Sequence, residues 1–86
     1  MHYRNGREAK NGDPVVQLSD ARYGPLKVTG VGILFDAKPG NDYCNGSIAP
    51  TNGGIVVGAC MCDCLHLEDL AAIIAEKGLD KRPEGK

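Results

Sequence analysis

Cys60-Met61-Cys62-Asp63-Cys64-Leu65-His66 places a thiol or an imidazole at every second position. Thiolate and imidazole are ligands that zinc favours, and a thiol beside a histidine is also the pair used in nucleophilic chemistry. Three chemistries are open to such a stretch. One is a zinc site made of Cys60, Cys62, Cys64 and His66. The second is a redox-responsive thiol group, with Cys44 joining from a neighbouring strand. The third is a Cys64–His66 couple whose imidazole is oriented by Asp63.

Spacing weighs against the metal. Along a strand, side chains i and i+2 share a face but stand about 6.8 Å apart at a rise of about 3.4 Å per residue. Zinc holds each sulfur at about 2.3 Å in a tetrahedron, so a flat strand cannot wrap all four groups around one ion. A bend near Asp63 would bring three together. The chain has no Cys-x-x-Cys spacing, the usual signature of zinc and iron–sulfur sites. Free cysteine otherwise behaves as a small buried hydrophobe. The preceding Ile55-Val56-Val57-Gly58-Ala59 is apolar and strand-like. A strand over Ile55–Cys62 would place Val56, Gly58, Cys60 and Cys62 on one face and Val57, Ala59 and Met61 on the other. A structural role for the cysteines is therefore the expected one, with no cofactor and zinc as the alternative. The Cys–His couple rests on proximity in sequence alone, and His66 is expected to be a solvated first-turn residue. No catalytic residue is assigned, and the chain is not expected to be an enzyme.

A second group of residues suits recognition. Arg22, Tyr23, Lys27, Tyr43 and Asn45 fall at expected loop tips or strand ends. Aromatic and basic groups beside loops can bind peptides or single strands. They mark the expected partner-binding residues, with a protein or peptide favoured over nucleic acid. Asn52-Gly53-Gly54 and Gly30-Val31-Gly32 lack the spacing and the Lys-Ser/Thr ending of a phosphate-binding loop. Their glycines are explained by turns and strand coiling.

The elements that must carry these residues fit one domain of 86 residues. The core is small, and with no Trp and only Phe35 as phenylalanine it must be aliphatic. The net charge of −1 is spread unevenly, with acids concentrated in the middle of the chain. No basic stripe of the kind that follows a phosphate backbone is present. The opening Met1-His2-Tyr3-Arg4-Asn5-Gly6 is not a secretory signal, and no apolar run is long enough for a membrane span. A cytoplasmic location with reduced thiols is expected.

Turn signals divide the chain into strands. Asn5-Gly6 suits a hairpin between Met1–Arg4 and Arg7–Ala9. Asn11-Gly12-Asp13-Pro14 leads into a strand at Val15–Leu18. A loop over Ser19–Leu26 precedes a long strand, Lys27–Ala37, whose Gly30 and Gly32 predict a bulge or sharp coiling. Lys38–Asp42 is a turn, Tyr43–Ala49 the returning strand, and Thr51–Gly54 the next turn. The period then changes. Leu67, Leu70, Ala71 and Ile74 make the stripe of an amphipathic helix over 66–77, with Glu68 and Asp69 in its first turn and Gly78 just past its end. Residues 80–86 form a charged tail, leaving 1–79 as the domain.

Gly12-Asp13-Pro14-Val15-Val16, Gly30-Val31-Gly32-Ile33-Leu34 and Glu68-Asp69-Leu70, in that order, resemble segments of small SH3-like barrels of the KOW type. The resemblance spans about residues 11–70. It implies a mainly β fold of about five strands with one C-terminal helix packed on it, and a non-enzymatic binding or adaptor module. Two departures stand out. The basic residues expected of a nucleic-acid-binding KOW element are sparse, and the closing helix is longer than one turn. The small size resembles that of phage and mobile-element proteins. An edge strand or the helix stripe could support a homodimer.

Overall fold

A computed structural model describes residues 1–38 and 44–85, with Tyr23 lacking a described side chain. Five antiparallel strands form one curled sheet: β1 (Pro14–Leu18), β2 (Val28–Phe35), β3 (Asn45–Pro50), β4 (Val57–Cys60) and β5 (Cys64–His66). Their order across the sheet is β4-β3-β2-β1-β5, so β4 and β5 are its two edges. One helix, α1 (Leu67–Glu76), follows β5 directly. The mainly β class, five strands and C-terminal helix agree with expectation. The membership of the sheet does not. The residue 1–9 hairpin contributes only an isolated His2–Glu8 bridge, and the fifth strand is Cys64–His66, inside the cysteine stretch.

Strand alternation decides what is buried. Register puts Val15 opposite both Gly32 and His66, and Leu34 opposite Ile48, so these side chains share the concave face. Tyr3, Val15, Leu34, Ile48, Ala59, Met61 and Cys64 form the core there, with Ala9 and Ala37. The aliphatic composition expected for it holds, but a tyrosine and a methionine complete it. Val16 is buried on the opposite face, where α1 approaches β1 and β5.

The glycines of β2 act where coiling was expected. The β1–β2 register shifts between Gln17 and Leu18, opposite Gly30 and Val28, which is a bulge. At Gly32, a Cβ would collide with the Ala49 carbonyl and lie 2.9 Å from the Ile48 side chain. Only glycine lets β3 approach β2 this closely. The N-terminal hairpin folds over the concave face, with Asn5-Gly6 at its turn as expected. The Tyr3 amide donates to Arg7 O at 2.8 Å and the Gly6 amide to Tyr3 O at 2.9 Å. Gly6 has φ of 90°, a conformation that glycine adopts without a Cβ penalty.

Two expectations are corrected. The strand predicted over Ile55–Cys62 is shorter. Ile55 and Val56 precede β4 outside any strand, and Met61–Asp63 is a 3-10 turn. Burial of the Met61 side chain explains the turn, since a straight strand would have continued past the core. The helix also does not lie along the barrel. Leu67, Asp69 and Leu70 are half-buried and every residue from Ala71 onward is exposed, so α1 meets the sheet only through its first turn. The expected turn over Lys38–Asp42 and the start of its following strand at Tyr43 fall largely outside the described residues.

Candidate functional site

The cysteine–histidine stretch is divided by its own 3-10 turn. Cys64 and His66 open and close β5 with both side chains inside the core, while Cys62 projects from the turn and is exposed. Arg4 fixes the turn. Its amide donates to Cys64 O at 3.0 Å, its Nε donates to Cys62 O at 3.2 Å, and its guanidinium faces Asp63 at 3.6 Å.

The zinc set of Cys60, Cys62, Cys64 and His66 is therefore not assembled. Among the described residues no three His, Cys, Asp or Glu side chains are grouped to hold a metal ion. The Cys64–His66 couple is not formed either. The Cys64 thiol donates to Cys60 O at 3.5 Å. Its pKa is pushed up to about 11, first by burial and then by the Asp63 charge. That is the opposite of an activated nucleophile. Asp63 faces Arg4, leaving the imidazole to other partners.

His66 was expected in solvent and is buried. It caps α1, its Nδ1 accepting from the Glu68 amide at 3.0 Å. Its Nε2 faces Asp13 Oδ1 at 3.7 Å. Asp13 in turn accepts from Tyr3 Oη at 2.7 Å and from the Lys10 amide at 3.1 Å. Burial and the bond to Asp13 hold the Tyr3 phenol far above its usual range. The Tyr3 and His66 rings meet edge to face with centroids 6.3 Å apart. This group ties the hairpin, β1 and the helix start together. Its neighbours reinforce the tie: Asn5 Nδ2 donates to Asp69 at 3.0 Å, and Arg7 bridges Asp69 at 3.1 Å and Glu68 at 3.2 Å. The Asn5 amide, followed by the Arg7 charge, keeps the Asp69 carboxyl below its ordinary range.

The expected partner-binding residues are not all at one end. Arg22 and Lys27 lie in the β1–β2 connection, while Asn45 begins β3 at the opposite end of β2. Arg22 grips Asp20, which caps the 3-10 turn Ala21–Tyr23, with contacts of 2.7 and 2.9 Å. The base of that connection is closed by reciprocal Ser19–Lys27 bonds of 2.8 Å each. Tyr43 and the Tyr23 side chain fall outside the described parts of the chain.

A feature the sequence reading missed lies where the concave face is left open. A cleft of about 650 Å³ runs between β2 and the β3–β4 connection, lined by Val28, Val31, Ile48, Pro50, Ile55 and Val57 among others. Ile55 is 89% exposed and Val56 is 52% exposed. The available signal was Gly53-Gly54, which ends the β3 turn before an apolar pair that need not join the strand at once. No protein-family profile, curated protein or solved structure matches this chain.

Proposed function

We propose that this domain is a non-catalytic binding module that takes an extended apolar segment of a protein partner in the open mouth of its half-barrel. The cleft carries the reading. It combines aliphatic walls from Val28, Ile48, Pro50 and Val57 with β4, an edge strand of the sheet among the described residues. An extended peptide can add backbone hydrogen bonds to such an edge while its alternate side chains enter an apolar recess. Large aliphatic residues left in solvent next to one another mark interaction sites more often than they serve stability.

Two observations favour this over the alternatives weighed for the chain. The buried Tyr3–Asp13–His66 group spends its hydrogen bonds on holding the fold, so its arrangement is explained without catalysis. Charge also disfavours nucleic acid, since the cleft walls named above are uncharged and the net charge is −1. The strand order, with β1 between β2 and β5 and a 3-10 turn joining β4 to β5, supports an SH3-like arrangement. No described helix is long and apolar enough to cross a membrane, and we place the module in the cytoplasm.

Peptides selected from a random displayed library on the folded domain test the reading. Enriched sequences should be apolar at alternate positions. Their titration into labelled protein should shift the amides of residues 28–31 and 51–57. Ile55→Asp should abolish the binding. Failure to enrich any sequence, or undiminished binding to Ile55→Asp, would overturn the proposal.

A further inference from the structure

Cys44 and the Cys60–Cys62 segment are backbone neighbours at the end of the β3–β4 pair. Asn45 pairs with Cys60 in the ladder, which sets Cys44 beside the end of β4. The Met61 amide donates to Cys44 O at 2.7 Å, anchoring the residue before Cys62 onto Cys44 itself. The 3-10 turn Met61–Asp63 places Cys62 one residue beyond that anchor, near enough for the Cys60 and Cys44 thiols to raise its pKa. Cys62 is exposed while Cys44 and Cys60 are half-buried, and all four cysteines are free. Cys64 is excluded, being fully buried with its thiol on Cys60 O. The Arg4 contacts to Cys62 O and Asp63 hold this arrangement from outside.

We propose that Cys62 and Cys44 form an oxidisable dithiol that exchanges with small disulfides. The Cys62 thiolate attacks one sulfur of a low-molecular-weight disulfide, forming a mixed disulfide and releasing one thiolate. The Cys44 thiolate then attacks the Cys62 sulfur, closing the Cys44–Cys62 bond and releasing the second thiolate. Two protein thiols are oxidised by two electrons, and one small disulfide is reduced to two small thiols. Accessibility makes Cys62 the entry point. Cys44 is the resolving partner because tertiary structure already holds its carbonyl on Met61. A bond from Cys62 to Cys60 would instead have to form across a single residue and distort the 3-10 turn. The crosslink fastens the β3–β4 hairpin, whose far end borders the apolar cleft. The neighbouring thiols hold the Cys62 pKa above its ordinary value, so exchange should accelerate as pH rises through the alkaline range.

The test is incubation of the reduced, folded protein with excess oxidised glutathione, followed by mass analysis under acid quench. The wild type should lose two hydrogens without keeping a glutathione, and cyanogen bromide cleavage after Met61 should leave the two halves linked until reduction. Cys60→Ser should behave as wild type. Cys44→Ser should stop at one retained glutathione on Cys62, and Cys62→Ser should show neither product. A wild type that stays fully reduced, or that keeps glutathione without closing, would overturn the proposal. So would a Cys44→Ser variant that still closes. Cys62 is exposed, so Cys62→Ser should remain folded whatever the half-buried positions tolerate, and oxidation that proceeds unchanged in that variant would equally refute the assignment.

Discussion

The two ends of the concave face are built from the same strands and finished differently. At the closed end, Tyr3 and Ala9 of the N-terminal hairpin pack in one core with Met61 and Cys64, and no buried side-chain nitrogen or oxygen among the described residues lacks a hydrogen-bond partner. At the open end, the cleft between β2 and the β3–β4 connection is lined by aliphatic side chains, and Val28, Ile55 and Val56 face solvent. The closed end spends polar groups on order. The open end leaves apolar area exposed, which costs solubility and brings no folding energy. The difference teaches that the Tyr3–Asp13–His66 group serves the fold, and that on the proposed function the exposed aliphatic residues of the open end carry recognition.

The largest test of that division is Met61→Ala. Met61 is fully buried at the hinge between β4 and β5. Truncating it should cost about 2–5 kcal/mol, a large share of the roughly 5–15 kcal/mol that holds a small domain together. Thermal or urea unfolding would measure it. A loss below about 1 kcal/mol would mean that the closed end can collapse around the cavity and is not the well-packed half.

Next in size is an alkaline weakness. The Cys64 thiol is raised from its ordinary value of 9.0 to about 11 by burial and the Asp63 charge. The folded state therefore prefers the neutral thiol more than the unfolded chain does. The resulting stability is fully present below pH 9 and is lost as pH rises through about 11. The loss should amount to about 3 kcal/mol. Cys64→Ala should flatten the stability slope in this window. The Tyr3 phenol, also raised by burial and the bond to Asp13, adds a loss that sets in above its ordinary value of 10.0, and Tyr3→Phe should remove that part while leaving the Cys64 contribution. A profile that is flat between pH 9 and 11 in the wild type would contradict burial of the thiol.

How much of this was legible in the sequence depends on how local the cause was. The long glycine-containing strand was legible, because strand-forming residues between turn signals are a local pattern, although it ends at Phe35 and not at Ala37. The helix was placed within one residue at each end, since Glu68, Asp69 and Gly78 are local start and stop signals. The break at Met61 was not legible. Ile55–Cys62 reads as one apolar run, and only the position of the core beneath it turns the chain into the 3-10 turn and leaves Cys64–His66 free to pair with β1. His66 was misjudged for the same reason. Its partners Asp13 and Tyr3 are more than fifty residues away in sequence, and nothing near it signals burial. The cleft was missed because its one local signal, Gly53-Gly54 before Ile55 and Val56, reads equally well as a turn into a strand that starts at Ile55. The cleft exists where the elements that could have covered it end elsewhere.

A smaller effect should follow from Tyr3→Phe at neutral pH. The change keeps the ring against His66 and removes only the hydroxyl that donates to Asp13 at 2.7 Å. A hydrogen bond to a charged group contributes about 1.5–3 kcal/mol, and the Lys10 amide remains to satisfy one carboxylate oxygen. A loss at the lower end of that range is expected, read from the unfolding midpoint. If Tyr3→Phe were as costly as Met61→Ala, the polar group would outweigh the apolar packing of the closed end.

The outer tie is weaker again. The Asp69 carboxyl is lowered by the Asn5 amide and by Arg7, and it lies at the surface. A carboxyl lowered in the folded state contributes stability above its ordinary range, and that stability is lost as pH falls through the folded value. Acidification should therefore loosen the hairpin from the helix start, and added salt should reduce the effect. Asp69→Asn should remove the acid dependence. Persistence of an equal acid transition in Asp69→Asn would move the cause to another carboxyl.

The smallest expected change is also the one that decides the comparison. Ile55 is 89% exposed and should contribute almost nothing to folding, so Ile55→Ser should shift stability by no more than about 0.5 kcal/mol. Val57 sits deeper, opposite Ile48 in the ladder and half-buried, and Val57→Ser should cost more. If the open end exists for recognition, the two substitutions should order oppositely in the two measurements. Val57→Ser should be the more harmful to unfolding, and Ile55→Ser should weaken binding of a selected apolar peptide while leaving unfolding unchanged. Were Ile55→Ser instead to destabilise the domain measurably, the residue would have to be buried in solution. The loop carrying it would then close over the cleft as part of the core, making the mouth a second closed end.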